Sequence, residues 1–240
     1  DAARFRRKFP LFAHGNESHA QLVSQGPAED KPARLDARDD IDGDDVRVVA
    51  NHPARLVAVD ELVEVAVVVT DYELTPVHPG FSVVIAPSPT ALASMSDFVR
   101  EMHESSGLLD ELALGAELAD AEKAVLDYIV QHVPTPGAAP LAGNTIGTDR
   151  AFLQRFMPSV DAHLHYRSVD VSSIKELARR WFPRIYFNAP EKNGGHRALA
   201  DILESIRELA YYRRAAFVPE PGPTTESLQT VSGEVVDAWA

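Results

Sequence analysis

LVEVAVVVTDYELTPVHPGFSVVIA, residues Leu62–Ala86, decides how the rest of the chain is read. Leu62–Asp71 is a nearly unbroken run of β-branched and aliphatic residues, and Phe81–Ala86 is a second one. Between them, YELTPVHPG supplies the proline and glycine of a hairpin-like connection, so two neighbouring strands are predicted. Downstream, helical periods alternate with short apolar runs. SPTALASMSDFVREMHESSG (Ser88–Gly107) has a Ser-Pro helix start, and LADAEKAVLDYIVQHV (Leu118–Val133) puts Leu118, Ala121, Val125 and Ile129 on one face before Pro134. APLAGN (Ala139–Asn144) is a short buried strand entering a glycine turn, followed by a helix over Thr148–Met157 with Thr148 as cap.

YRSVDV (Tyr166–Val171) is a further strand. The helix after it, SSIKELARRWF, carries a Ser173/Glu176 capping box and stops at Pro183. A last helix starts near His196, with Leu199, Ile202, Ile206 and Leu209 on its apolar face. A hairpin followed by alternating strands and helices indicates an α/β layer fold with a mixed sheet.

Three regions divide the chain. Residues 1–55 contain the charge run DARDDIDGDD and little apolar periodicity, which predicts a divergent, disordered or non-native segment. Residues 56–217 form the regular domain. Residues 218–240 open on closely spaced prolines and are expected to be a flexible tail.

With 240 residues and 45% hydrophobic content, the chain can bury one core. No apolar run is long enough to span a membrane and no secretion signal is evident, so a soluble cytoplasmic protein with no membrane partner is expected. Cysteine is absent, which leaves oxygen and imidazole as metal ligands. A formal charge of −13 argues against a binder of long duplex DNA. A short anionic substrate remains compatible, because bound cations and local arginines can reverse the sign at one site.

GGHRALAD (Gly194–Asp201) places a histidine behind two glycines and five positions before a carboxylate. Inside one helix, residues five apart point about 140° from each other, so His196 belongs on the loop or first turn if it shares a site with Asp201. Asp149 stands at the start of another helix just after a strand, the usual place for ligands in open α/β sheets. Two aspartates and a hinged histidine suit Mg²⁺ or Mn²⁺, a base acting on water, and phosphodiester hydrolysis. The residues alone leave open a plainer alternative, a helix-start histidine beside a solvated aspartate.

APLAGNTIGTDRAFLQRFMP, LHYRSVDVSSIKELARRWFPRIY and HRALADILESIRELAYYR together resemble the oligoribonuclease family over about two thirds of the chain, from Asp60 to Phe217. The resemblance implies a ribonuclease-H-like mixed sheet flanked by helices. It also implies a homodimer that cuts short RNA oligonucleotides, dinucleotides above all, into mononucleotides from the 3′ end with two divalent cations. It assigns metal ligation to Asp149 and Asp201 and the role of general base to His196. Tyr166 and Arg167 would contact substrate, with Tyr166 acting across the dimer interface. Thr145, Ser172 and Ser173 would cap the 5′ phosphate, and Phe98 would take the place of a base-stacking tryptophan. His103 is a further candidate for substrate contact.

The family's first strand carries an Asp-x-Glu pair that supplies two more metal ligands, and the chain departs from that pattern. The nearest match is LVAVDELVEVAVVV (Leu56–Val69), in which Asp60 is the tentative ligand but would also have to form a turn. The first strand is therefore expected to be replaced. An inactive relative that dimerises and holds nucleotides without cleaving them, a shifted reading frame before about residue 55, and a rearranged strand all account for it. The remaining conspicuous residues have plainer assignments: His163 and His165 as surface or packing histidines, Arg179 and Arg180 as a solvated face, Leu177 and Trp181 as core.

Overall fold

A computed structural model describes residues 19–25, 61–191 and 197–240. Asp60, His196, the Leu56–Val59 run and most of the N-terminal segment lie outside the described residues. Among the described residues, five strands, β1 (His19–Gln25), β2 (Glu64–Thr70), β3 (Phe81–Val84), β4 (Pro140–Gly143) and β5 (His165–Asp170), form one sheet in the order β3-β2-β1-β4-β5. β3, β2 and β1 are mutually antiparallel neighbours, whereas β1, β4 and β5 run parallel. This is the mixed sheet that the alternation of elements predicted.

Helices follow in chain order: α1 (Pro89–Ser94), α2 (Asp97–Ser105), α3 (Leu108–Leu112), α4 (Leu118–His132), α5 (Ile146–Phe156), α6 (Pro158–His163), α7 (Val171–Trp181), α8 (Pro183–Phe187), α9 (Ala198–Ala215) and α10 (Thr225–Ala238). β2 is buried along its whole length because both faces are covered. Val65, Val67 and Val69 pack with Val125 and Ile129 of α4 and Phe152 of α5, while Ala66 and Val68 pack with Ala198, Ile202 and Ile206 of α9. A strand covered on both sides has no solvated face to alternate towards, which explains its continuous apolar run. Gly80, in the β2–β3 connection at φ +106°, lies so close to α9 that an added Cβ would stand 2.7 Å from Leu199 Cδ1.

Several local expectations are corrected. β1 lies within the segment expected to lack structure and takes the centre of the sheet. Its sequence, HAQLVSQ, has too few apolar residues to announce a strand, and pairing with β2 and β4 on either side defines it. The single helix expected over Ser88–Gly107 is two, because Ser96 accepts a bond from the Val99 amide and starts a new one. α5 begins at Ile146 rather than at Thr148. The cap of α7 is Asp170, which accepts from the Ser172 amide at 3.0 Å, and Ser173 donates to the same carboxylate instead of forming a box with Glu176. The expected flexible tail contains α10, capped by Thr224 and exposed throughout.

Candidate active site

The carboxyl ends of β1 and β4 point to the same edge of the sheet, and the antiparallel β2 begins there, with Glu64 opposite Gln25. Chain leaving β4 enters α5, whose first turn carries the buried Asp149. Asp201 sits in the first turn of α9. The Asn144 side-chain amide brings the two elements together, donating to Ser205 Oγ at 2.9 Å and to Glu208 Oε2 at 3.2 Å on α9. Ser205 lies one helical turn from Asp201 and donates to its carbonyl at 2.9 Å.

Next to Asn144, Thr145 adopts φ +54°, ψ +36°. A β-branched residue enters this left-handed region at a cost of about 1–3 kcal/mol, which the surrounding bonds must offset. The Thr145 amide faces Asp170 Oδ1 at 3.1 Å and Ser172 Oγ at 2.9 Å, and its hydroxyl lies 3.2 Å from Ser172 Oγ. Ser172 in turn donates to Asn144 Oδ1, and Ser173 donates to Asp170 Oδ2 at 2.8 Å. The three hydroxyl residues expected to cap a phosphate thus belong to one hydrogen-bonded cluster around Asp170.

Tyr166 and Arg167 stand out of the β4–β5 ladder. Pro140 pairs with His165 but Leu141 pairs with Ser168, so these two residues form a bulge. Bulges re-aim side chains, and Tyr166 is 77% exposed with the Arg167 guanidinium 5.4 Å from its ring centroid. Arg150 holds the bulge from behind. It donates to the carbonyls of His165 (2.5 Å) and Tyr166 (2.8 Å), to Ser168 Oγ (3.0 Å) and to Asp161 (2.9 Å). The residue after Asp149 therefore fixes the strand that presents Tyr166 and Arg167.

Phe98 is exposed on α2 and free to stack, whereas His103 of the same helix is buried. His163 bonds to the Val133 carbonyl and His165 accepts from the Arg167 amide, in keeping with packing roles. Arg180 and Arg179 pair with Glu176 on an exposed face, as expected. Leu177 and Trp181 are not core: Trp181 is 65% exposed, because the buried stripe of α7 runs through Val171, Ile174 and Ala178 instead.

Among the described residues, no group of three or more His, Asp or Glu side chains gathers to hold a metal ion. Asp149 and Asp201 each offer carboxylate oxygens, the donor type that fits a hard divalent cation. Asn144, Arg150, Asp170, Ser205 and Glu208 went unnoticed in the sequence. Glu64 had a signal, as the lone carboxylate inside a buried apolar run.

Residues 49–209 match the family model of the exonuclease domain. The oligoribonuclease of Leifsonia xyli subsp. xyli is 66% identical over 182 residues, covering 76% of this chain and 88% of the relative. This chain belongs to the oligoribonuclease family. The Streptomyces avermitilis oligoribonuclease is 59% identical over 177 residues, 74% of this chain and 88% of that one. The fold is also that of exonuclease I. The zinc-bound Escherichia coli exonuclease I–single-stranded-DNA complex superposes with a TM-score of 0.53 at 14% identity, covering 84% of this chain and 41% of that one. A product-bound exonuclease I gives 0.54 at 12% identity, over 83% of this chain and 44% of that one. This chain thus spans less than half the length of those solved proteins. These relatives lend no support to an inactive, binding-only member.

Proposed function

We propose that the chain is a 3′-to-5′ exoribonuclease that degrades short oligoribonucleotides to mononucleotides. The observation that carries this reading is the junction of the Asn144–Thr145–Ser172 cluster with α9, made through Ser205 and Glu208, one and about two turns beyond Asp201. The terminal phosphate of a dinucleotide would lie against Thr145, Ser172, Ser173 and Arg167, where charge-assisted bonds are strong. A longer chain would have to carry its next sugar through that cluster, so the dinucleotide is preferred. Phe98 would stack on a base; His103, expected as a further substrate contact, is buried within α2 and takes no part in this reading.

Asp149 and Asp201 would hold Mg²⁺ or Mn²⁺, with Asp60 as a further ligand; the bound cations supply charge neutralisation at the scissile phosphate. His196 would take a proton from water, whose oxygen attacks phosphorus. The P–O3′ bond then breaks, and the 3′ oxygen of the shortened oligonucleotide takes up a proton. The exposed apolar strip of Leu177, Trp181, Phe182 and Phe187 supports a homodimer, with Tyr166 reaching the partner's substrate. A cytoplasmic location belongs to this proposal.

Hydrolysis of a 5′-labelled diribonucleotide with Mg²⁺ or Mn²⁺ tests it. Asp149→Asn should lower kcat by about a thousandfold, equivalent to about 4 kcal/mol. No mononucleotide release by the parent chain with either cation would overturn the proposal.

A further inference from the structure

α9 is 18 residues long, yet Arg197, at its N-cap position, gives its first turn no side-chain bond. The first amides of a helix need acceptors. Here the acceptor comes from the sheet: Glu64 of β2, 134 positions away, accepts the Ala198 amide on Oε2 at 3.0 Å and Arg197 Nε on Oε1 at 3.0 Å. The other two Arg197 nitrogens bond both oxygens of Glu111 on α3, each at 2.9 Å. The Arg197 carbonyl then accepts the amide of Asp201 at 3.0 Å. Asp201 is held again at its own carbonyl by Ser205, which is bonded to Asn144 beside the phosphate-capping cluster.

Glu64 is only 1% exposed, in a strand otherwise built of valine, alanine and threonine. A carboxylate is costly to take out of water, so packing alone would favour another aliphatic side chain there. What the carboxylate adds is a fixed register between β2 and the first turn of α9. Its two oxygens meet one backbone and one side-chain donor of consecutive residues, which leaves the helix little freedom to slide or rotate.

We propose that Glu64, acting through Arg197 and the Ala198 amide, is a positioning residue of the nuclease site that sets the direction of the Asp201 carboxylate. Glu111 is its outer support. The inference rests on the reading of Asp201 as a metal ligand. It makes Arg197, the residue after His196, the joint between the sheet and the two groups expected to do chemistry.

Glu64→Gln in the full chain keeps the shape but must turn its NH₂ group towards one of the two donors. Mn²⁺ affinity is read by electron paramagnetic resonance of the free ion, which needs no turnover, and kcat and KM are read on a diribonucleotide. Loss of a group that orients a metal ligand costs about 10- to 100-fold in affinity or activity. Glu64→Gln should therefore weaken Mn²⁺ binding and kcat about tenfold and leave KM within about twofold. Arg197→Lys, which keeps the charge but not the fork, should show part of the loss, and the surface variant Glu111→Gln a smaller loss in the same direction. Parent-like Mn²⁺ affinity and kcat in Glu64→Gln, with only a lower melting temperature, would overturn the proposal. If Glu64→Gln does not fold, parent-like values in both other variants would do the same. Asp201→Asn is measured alongside: if it binds Mn²⁺ as the parent does, the ligand reading itself fails, whereas a weakened Asp201→Asn beside an inert Glu64→Gln removes only the role of Glu64.

Discussion

Replacing Arg150 by lysine keeps a cation near Asp161 but removes the fork that reaches the His165 and Tyr166 carbonyls. The Arg150 and Asp161 side chains are 14% and 21% exposed, so the group is neither solvated nor fully dry. Three lost bonds, to the His165 and Tyr166 carbonyls and to Ser168 Oγ, at about 1 kcal/mol each, the ordinary net worth of a hydrogen bond, give about 3 kcal/mol. For a domain of this size that corresponds to a fall in Tm of about 6–12 °C. The bulge would be free to close into the ladder or swing outwards, and Arg167 would leave the position from which it is proposed to meet the phosphate. A charged contact is worth about 1.5–3 kcal/mol, so losing most of it should raise KM for a diribonucleotide about tenfold with a smaller change in kcat. Thermal unfolding followed by circular dichroism and initial rates over a range of dinucleotide concentrations measure both. A variant with lowered Tm but parent KM would refute the link between Arg150 and the substrate, leaving only its contribution to stability.

Two further perturbations follow from the structure. Burial, aided by the charge of Glu208, pushes the Tyr212 phenol up to about 12. Its folded pKa lies above the ordinary value of about 10, so the stability it contributes is complete below pH 10 and is lost as pH rises from about 10 to about 12. Tyr212→Phe should lose less Tm than the parent between pH 9 and pH 11.5, and an equal loss would contradict the assignment. Trp181→Glu places a charge in the exposed apolar strip on α7 and α8 and should convert a dimer into monomers in sedimentation velocity at micromolar concentration. A parent that sediments as a monomer would overturn the proposed homodimer, and a variant that stays dimeric would move its interface elsewhere.

Much of the fold was legible because hydrophobic period is a local property. The β-branched run at Glu64–Thr70, the helical face of α4 and the stripe of α9 follow from side chains counted along the chain. So did the order of the motifs that place Asp149, Asp201 and the Tyr166–Arg167 pair on their elements. Helix starts were less legible. The caps at Ser96 and Asp170 depend on which of several nearby hydroxyl and carboxyl groups meets a free amide, and only backbone geometry selects one.

Non-local choices were made by the tertiary structure alone. HAQLVSQ is a strand because β2 and β4 present unpaired edges on either side of it, whatever its own propensity. Trp181 faces solvent because α7 turns Val171, Ile174 and Ala178 inwards, a rotation that the sequence period allowed but did not require. Arg150, Asn144 and the donors that meet Glu64 became visible only when residues up to 134 positions apart met, since a hydrogen bond has a range of about 3 Å and leaves no periodic trace in the chain. The sequence determined which groups could do the chemistry and on which elements they ride. The packing of α9 against the sheet decided where the first turn that carries Asp201 stands.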